Sequence, residues 1–280
     1  MAKHHYKRFD SVTDLFAAAT DDPAIDRAVS RKTGDPDFYG SADWAQAKDY
    51  ALAGGWEGAG SQAADAVASV LSTIRKTVQP QPVRVYANSG AFPAVALAIA
   101  GNPAHMIRPV PDPAAGRSKT VRIMVNIGAL GFIDGETMVK RGIAYVALCE
   151  VLASLGYSTD VWCVSTCEPS SGAMDRLSVA WNVKAAGGVI DRDRLVFNLA
   201  NPANLRRMAW SIRETMPEPV RKRFGISPGG GYGRSTDVDS VVIDDLRPDV
   251  VADAALTDPR QVPDPVSFVL KTLRGLDLIG

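Results

Sequence analysis

The run Val121 to Ile127, "VRIMVNI", is apolar at nearly every position, and a strand of that kind is stable where both faces of its sheet are covered. It is followed by "ETMVKRGIAYVALCEVLASLG", in which Val139, Ile143, Val146, Leu148 and Leu152 recur at helical spacing. Gly156-Tyr157 supplies a stop, and "STDVWCVS" reads as a second strand. The order predicts a βαβ unit. A right-handed crossover then places strand 158–165 parallel to and beside strand 121–127.

The elements around this unit follow from the same patterns. "DRLSVAWNVKAA" alternates as an edge strand, because Arg176, Ser178 and Asn182 interrupt its apolar positions. "DRLVFNLANPANLRRMAWSIRETM" reads as two helices broken at Asn201-Pro202. "GISPGGGYGRSTD" reads as a Gly-rich loop, "SVVI" as a buried strand, and "DPVSFVLKTLRGLDLIG" as a closing helix with Pro265 in its first turn. Before Val121 the first ~80 residues predict three short helices, the second with Ser41 as N-cap, Trp44, Ala47 and Ala51 on one face, and Gly54-Gly55 as its end. A short strand at Val83 to Tyr86, a helix around Pro93 to Ala100, and a Pro/Gly-rich connector, Pro109 to Ser118, come next. The expected organisation is a mainly helical N-terminal extension, 1–117, and an α/β domain, 118–280.

With 46% apolar residues over 280, the chain can bury a sizeable core. Its formal net charge of zero implies no polyanion-binding surface from the totals. Cys149, Cys163 and Cys167 match neither a zinc ribbon nor a secreted disulfide scaffold, which points to a reducing compartment. The start has no apolar leader core, and no segment approaches about 18 uninterrupted apolar residues. The expectation is a cytoplasmic protein with no membrane association.

The order from about Val121 to Leu276 resembles the von Willebrand factor A (vWA) fold: a Rossmann-like, three-layer, mostly parallel sheet with one antiparallel edge strand and helices on both faces. The first strand ends where those domains carry Asp-x-Ser-x-Ser, and "GGGYGRSTD" sits where their Thr-bearing loop lies. Together with "FYGSADWAQAKDYALAGGWEG", the whole chain is similar to an uncharacterised, mostly phage-borne family with a degenerate vWA-like core. The resemblance implies a fold and a phage setting, in the bacterial host cell or the virion, and no known activity. The aligned metal positions are Asn126, Gly128 and Leu130, with Thr236 on the later loop. A hard divalent cation needs oxygen ligands, usually including a carboxylate, at about 2.0–2.2 Å for magnesium. Asn126 offers one neutral oxygen, Gly128 and Leu130 no side-chain ligand. No metal and no cofactor is expected.

The other candidates divide between chemistry and packing. Gly128, Gly131 and Gly135 stand between strand and helix, but the spacing departs from G-x-G-x-x-G, and Asp134 fits an N-cap with Glu136 in the first turn. Gly230, Gly231, Gly233 and Arg234 have the composition of an anion-binding nest without the Gly-Lys-Ser/Thr ending of a P-loop. His105 is the single internal general-base candidate, with no paired nucleophile. Arg206, Arg207, Arg213, Arg221, Lys222 and Arg223, interleaved with Trp210 and Phe224, read as a solvated helical face among acids, and nucleic acid is not an expected partner. Leu130, Phe132, Ile133 and Tyr232 are left as an apolar cluster at the sheet's C-terminal rim, where α/β folds present their sites. The expected function is a non-catalytic protein-binding module with a degenerate metal site and an unidentified protein partner. Two alternatives stand beside it: a phosphate-ligand-binding protein or enzyme using the Gly-rich loops, and a phage virion or assembly component.

Overall fold

The computed structural model describes residues 3–20, 30, 34–56, 60–77, 83–110, 119–172, 174–227, 231–252 and 254–279. Along the chain run β1 (His4–Phe9), α1 (Val12–Thr20), α2 (Pro36–Tyr39), α3 (Trp44–Asp49), α4 (Gly60–Thr77), β2 (Val83–Ala87), β3 (Phe92–Pro93), α5 (Val95–Ile99) and β4 (Met106–Val110). Then come β5 (Thr120–Asn126), α6 (Gly135–Ser154), β6 (Ser158–Glu168), β7 (Arg176–Lys184), α7 (Arg192–Ala200), α8 (Trp210–Glu214), α9 (Glu218–Phe224), β8 (Arg234–Ser235), α10 (Ser240–Leu246), β9 (Val250–Ala252) and α11 (Pro265–Gly275). A π-helical turn, Tyr50–Gly54, continues α3, and another, Asn204–Ala209, leads into α8.

The central sheet has the order β1-β7-β6-β5-β9, with β8 added to β6. Parallel pairings predominate: β1 with β7, β5 with β6, and β5 with β9. β7 and β8 run antiparallel to β6. The expected βαβ unit is β5-α6-β6, in register from Thr120 opposite Ser158 to Asn126 opposite Val164. Alternate side chains enter opposite layers, as the pleat requires. Ile123, Val125, Val161, Cys163, Val179 and Trp181 join the larger core, which α1, α3, α4, α6, α7 and α11 complete. Met124, Trp162, Val164 and Ala180 face the other way, onto Val242 and Leu246 of α10. Helices therefore cover both faces, and α4 and α11 form a further helical layer over α6.

Three expectations are corrected. "SVVI" is the start of helix α10: Asp239 caps it by accepting from the Val241 amide, and Val242 and Leu246, one turn apart, face the sheet. Three consecutive apolar residues cannot by themselves separate a buried strand from a buried helix. β7 is interior, because β1 pairs along its outer side from His4 opposite Arg176 to Phe9 opposite Trp181. The basic N-terminal stretch is thus a strand of the central sheet, and the sheet draws on residues from both sides of the expected 117/118 boundary. Asp43, not Ser41, caps α3, its carboxylate accepting from the Gln46 amide at 2.8 Å.

Residues 83–110 form a separate three-stranded antiparallel sheet, β2-β4-β3, with α5 on the connection. β4 takes up part of the stretch read as a connector. Among the described residues its strands pair only with one another, and no residue from 85 to 108 is buried.

Candidate functional site

At the C-terminal end of β5 the chain makes a tight turn before α6, and its polar groups are tied together. The buried Asn126 amide accepts from the Gly128 amide at 2.8 Å and donates to the Thr236 carbonyl at 3.0 Å. The Gly128 carbonyl accepts from Arg141 Nη1 at 3.1 Å and from the Leu256 amide at 2.8 Å. Ser235 Oγ donates to the Ala129 carbonyl at 2.9 Å, and the Leu130 amide donates to the Leu256 carbonyl at 3.0 Å. Three of the four positions aligned with metal ligands, Asn126, Gly128 and Thr236, do meet here. They meet through an amide that staples the turn to the loop before α10. Among the described residues no group of three or more His, Cys, Asp or Glu is placed to hold a metal ion.

Residues far upstream and downstream close over this turn. α2, capped by Asp35 and ended by Gly40 at φ 76°, lies across it. Arg206 clamps the two: Nη1 donates to the Phe38 carbonyl at 2.6 Å, Nη2 to the Ile133 carbonyl at 2.5 Å, and the guanidinium lies 3.8 Å from the Phe38 ring centroid. Arg207 donates to the carbonyls of Ser30, Ser41 and Ala42 and stacks on Tyr39. Arg213 donates to the Tyr232 carbonyl at 2.7 Å and to Ser165 Oγ at 2.6 Å. All three are buried, which corrects the expectation of a solvated basic face; Lys222 and Arg223 alone of that set are exposed. Burial lowers the pKa of Arg206 to about 10, with Asp134 and Tyr39 opposing the shift, so the guanidinium remains charged at neutral pH. A carbonyl-bound arginine carries no sequence signal, and α2 is likewise too short to show a period.

Of the apolar rim cluster, Ile133 and Tyr232 lie inside, Leu130 is half-buried, and Phe132 is 71% exposed. Tyr232 stacks on Trp210 with ring centroids 4.2 Å apart, and its hydroxyl binds Glu214. α2 divides the surroundings into two recesses. One, of about 300 Å³, is lined by Phe38, Leu130, Trp210, Arg213, Gly231 and Gly233. Arg234 is not among its walls; it reaches toward Glu168, and Gly230 lies outside the described residues. Gly231 and Gly233 of that loop line the recess, and the guanidinium beside them is that of Arg213.

The other cleft, of about 740 Å³, lies between the N-terminal helices and the start of α6. Asp37, Asp134 and Glu136 supply its charge and Tyr50, Trp56 and Val139 its apolar wall, and among the described residues no Lys or Arg lines it. As expected, Asp134 is the N-cap of α6, accepting from the Thr137 amide at 2.6 Å and hydroxyl at 3.0 Å. Those bonds hold its carboxyl below the usual range. At Gly135 any Cβ would stand 2.4 Å from the Asp37 carbonyl oxygen, so the approach of α2 to α6 requires glycine.

Neither the three thiols nor His105 line either recess, although Cys167 packs against Gly233 and Tyr232 behind the smaller one. Cys149, Cys163 and Cys167 are free and buried, and desolvation raises all three pKa values. His105 is on the small sheet, with Nδ1 2.9 Å from the Asn102 carbonyl oxygen.

A family model described as "Domain of unknown function (DUF7192)" matches residues 2–279. The chain belongs to the DUF7192 family. The match takes in β1 and the N-terminal helices as well as the later sheet, so the two recesses of this DUF7192 chain lie wholly within the matched region. No curated protein and no solved structure matches the chain.

Proposed function

We propose that this protein is a non-catalytic binding module, a degenerate vWA-like domain of phage origin that engages a partner protein at the rim of its sheet. Support for the vWA-like reading comes from the β5-α6-β6 unit, the antiparallel β7 beside it and helices on both faces. The phage setting, and with it a place in the bacterial host cell, rests on the sequence resemblance alone. The observation that carries the functional reading is Phe132. A large ring stands 71% exposed on a turn whose backbone is held by Asn126, Arg141, Ser235 and Arg206. A rigid, exposed aromatic binds at little entropic cost, and burying it contributes about 1.5–3 kcal/mol, roughly tenfold to a hundredfold in affinity. The alternative of a phosphate ligand on the Gly-rich loop has less beneath it, because the Arg213 fork already serves Tyr232 and Ser165.

The test is capture on the immobilised full chain and on Phe132→Ala, from a lysate of cells that encode the protein, with thermal melts of both. The variant should recover the specific partner roughly tenfold less well. Its stability should stay within about 0.5 kcal/mol of the parent. A sharply lower melting temperature with unchanged recovery per folded molecule would make Phe132 an internal staple and sink the reading.

A further inference from the structure

The smaller recess on the rim has an apolar wall and one charge. Among the described residues Arg213 is the one charged side chain that lines it, and the one buried guanidinium that lines either recess. At 1% exposure it lies at the floor. Its Nη groups donate to neutral oxygens, the Tyr232 carbonyl and Ser165 Oγ, and the buried Nε has no acceptor. None of the ion pairs among the described residues involves it. Glu214, next to it in sequence, is engaged by the hydroxyls of Ser30 and Tyr232. A buried cation with an unbound donor and no acid partner favours an anion beside it. Because Nε is itself covered, the attraction acts first on the guanidinium's charge, which an apolar wall screens little. The rings of Phe38, Trp210 and Tyr232 supply that wall, and through Leu130 and Gly131 it runs up to Phe132.

We infer that this recess takes the free C-terminus of a partner chain, its last side chain against Phe38, Trp210 and Tyr232 and its terminal carboxylate toward Arg213. The inference rests on the rim-binding reading, since the recess adjoins Phe132, and it names the part of the partner that is recognised. One free donor suits a carboxylate oxygen, whereas a phosphate would leave most of its oxygens unbound. An internal Asp or Glu brings a carboxylate without an apolar group for the rings. The last residue of a chain carries both on one carbon, and capture of a terminal carboxylate is a recurring mode of peptide recognition. A free amino acid would add an ammonium, and among the described residues no acid lines the recess to receive it. The volume of about 300 Å³ lies at the small end of ligand pockets, which suits one large side chain and its carboxylate.

Fluorescence polarisation on the full chain tests this, with the peptide Gly-Ser-Ala-Phe labelled at its N-terminus and free at its C-terminus. Three twins accompany it: the C-terminal amide, the free acid ending in Ala, and Gly-Asp-Ala-Phe amide, which moves the carboxylate to a side chain. The free acid should bind saturably, and each twin at least tenfold more weakly. Arg213 holds Tyr232 and Ser165 in place, so the comparison of acid with amide on the unaltered chain decides the charge. Gly131→Trp decides the place. A Cβ at Gly131 meets nothing within 4 Å, so the variant should melt like the parent, yet its ring should obstruct the recess and abolish peptide binding. Equal binding of acid and amide overturns the inference, as does the absence of saturable binding at millimolar peptide or binding that survives Gly131→Trp. Phenylacetate that binds as tightly as the peptide would also overturn it, by making the recess a small-molecule site. Phe132-dependent capture of a partner that Gly131→Trp leaves intact would keep the rim reading while this one falls. Peptide binding as expected, with capture indifferent to Phe132, would keep the recess and remove the role given to that ring.

Discussion

Arg206, Arg207 and Arg213 show what a charged residue needs in order to sit in the interior. A buried guanidinium is costly unless its donors are bound, and here backbone carbonyls of residues 30, 38, 41, 42, 133 and 232 accept from the terminal Nη groups. Each arginine joins segments far apart in sequence, and Arg206, bonded to both Phe38 and Ile133, fixes α2 over the β5–α6 turn. The thiols are inert for the related reason that burial favours their neutral form. Cys149 is pushed up to about 12, and Cys163 and Cys167 are raised as well. The folded protein should therefore leave a thiol reagent unconsumed at neutral pH and give three thiols per chain once unfolded. Rapid reaction of even one thiol in the folded state would show that its burial is wrong, and a count of one after unfolding would mean a disulfide.

At the scale of elements, α6 is the best-specified piece, with a cap, a helical apolar period and a stop. Asp134→Ala should cost about 1 kcal/mol at neutral pH. The sign of its pH dependence follows from the depressed carboxyl. The cap's contribution is present above the ordinary aspartate pKa and is lost as pH falls through the lower folded value, so the gap between parent and variant should narrow in acid. Denaturant melts at several pH values check it; a gap that widens in acid would contradict the assigned cap. The β5-α6-β6 unit was legible because a doubly buried strand and a long amphipathic helix are distinctive. α10 was not, since its apolar run fits either period. β1 was not, since "HHYKRF" has no apolar alternation and docks through polar side chains: His4 on Asp239, Tyr6 on Asp245, Arg8 over Trp162. The rim turn could be found from sequence as the end of β5. Its cover could not, because α2 and the buried arginines act through backbone carbonyls, which every residue type possesses.

For the whole molecule, the N-terminal helices and the sheet share one continuous core: Leu15, Phe16, Trp44, Val67 and Val70 pack into the same cluster as Ile123, Val161 and Trp181. β1 extends that unity to the sheet by covering the edge of β7. Removing residues 1–9 should lower the melting temperature and leave β7 as an open edge that promotes concentration-dependent aggregation. A shortened chain as stable and monodisperse as the intact one would show that β1 is dispensable. The pairing also has a consequence for timing. The Lys3 amide bonds Asp175, 172 residues further on. At roughly 5–20 residues per second of synthesis, β1 emerges on the order of ten to thirty seconds before the strand it will lie against. Through that interval the helices that follow it have no sheet to settle on. β1 thus leaves the ribosome well before it can find its place, and until then its segment stays open to chaperones and proteases.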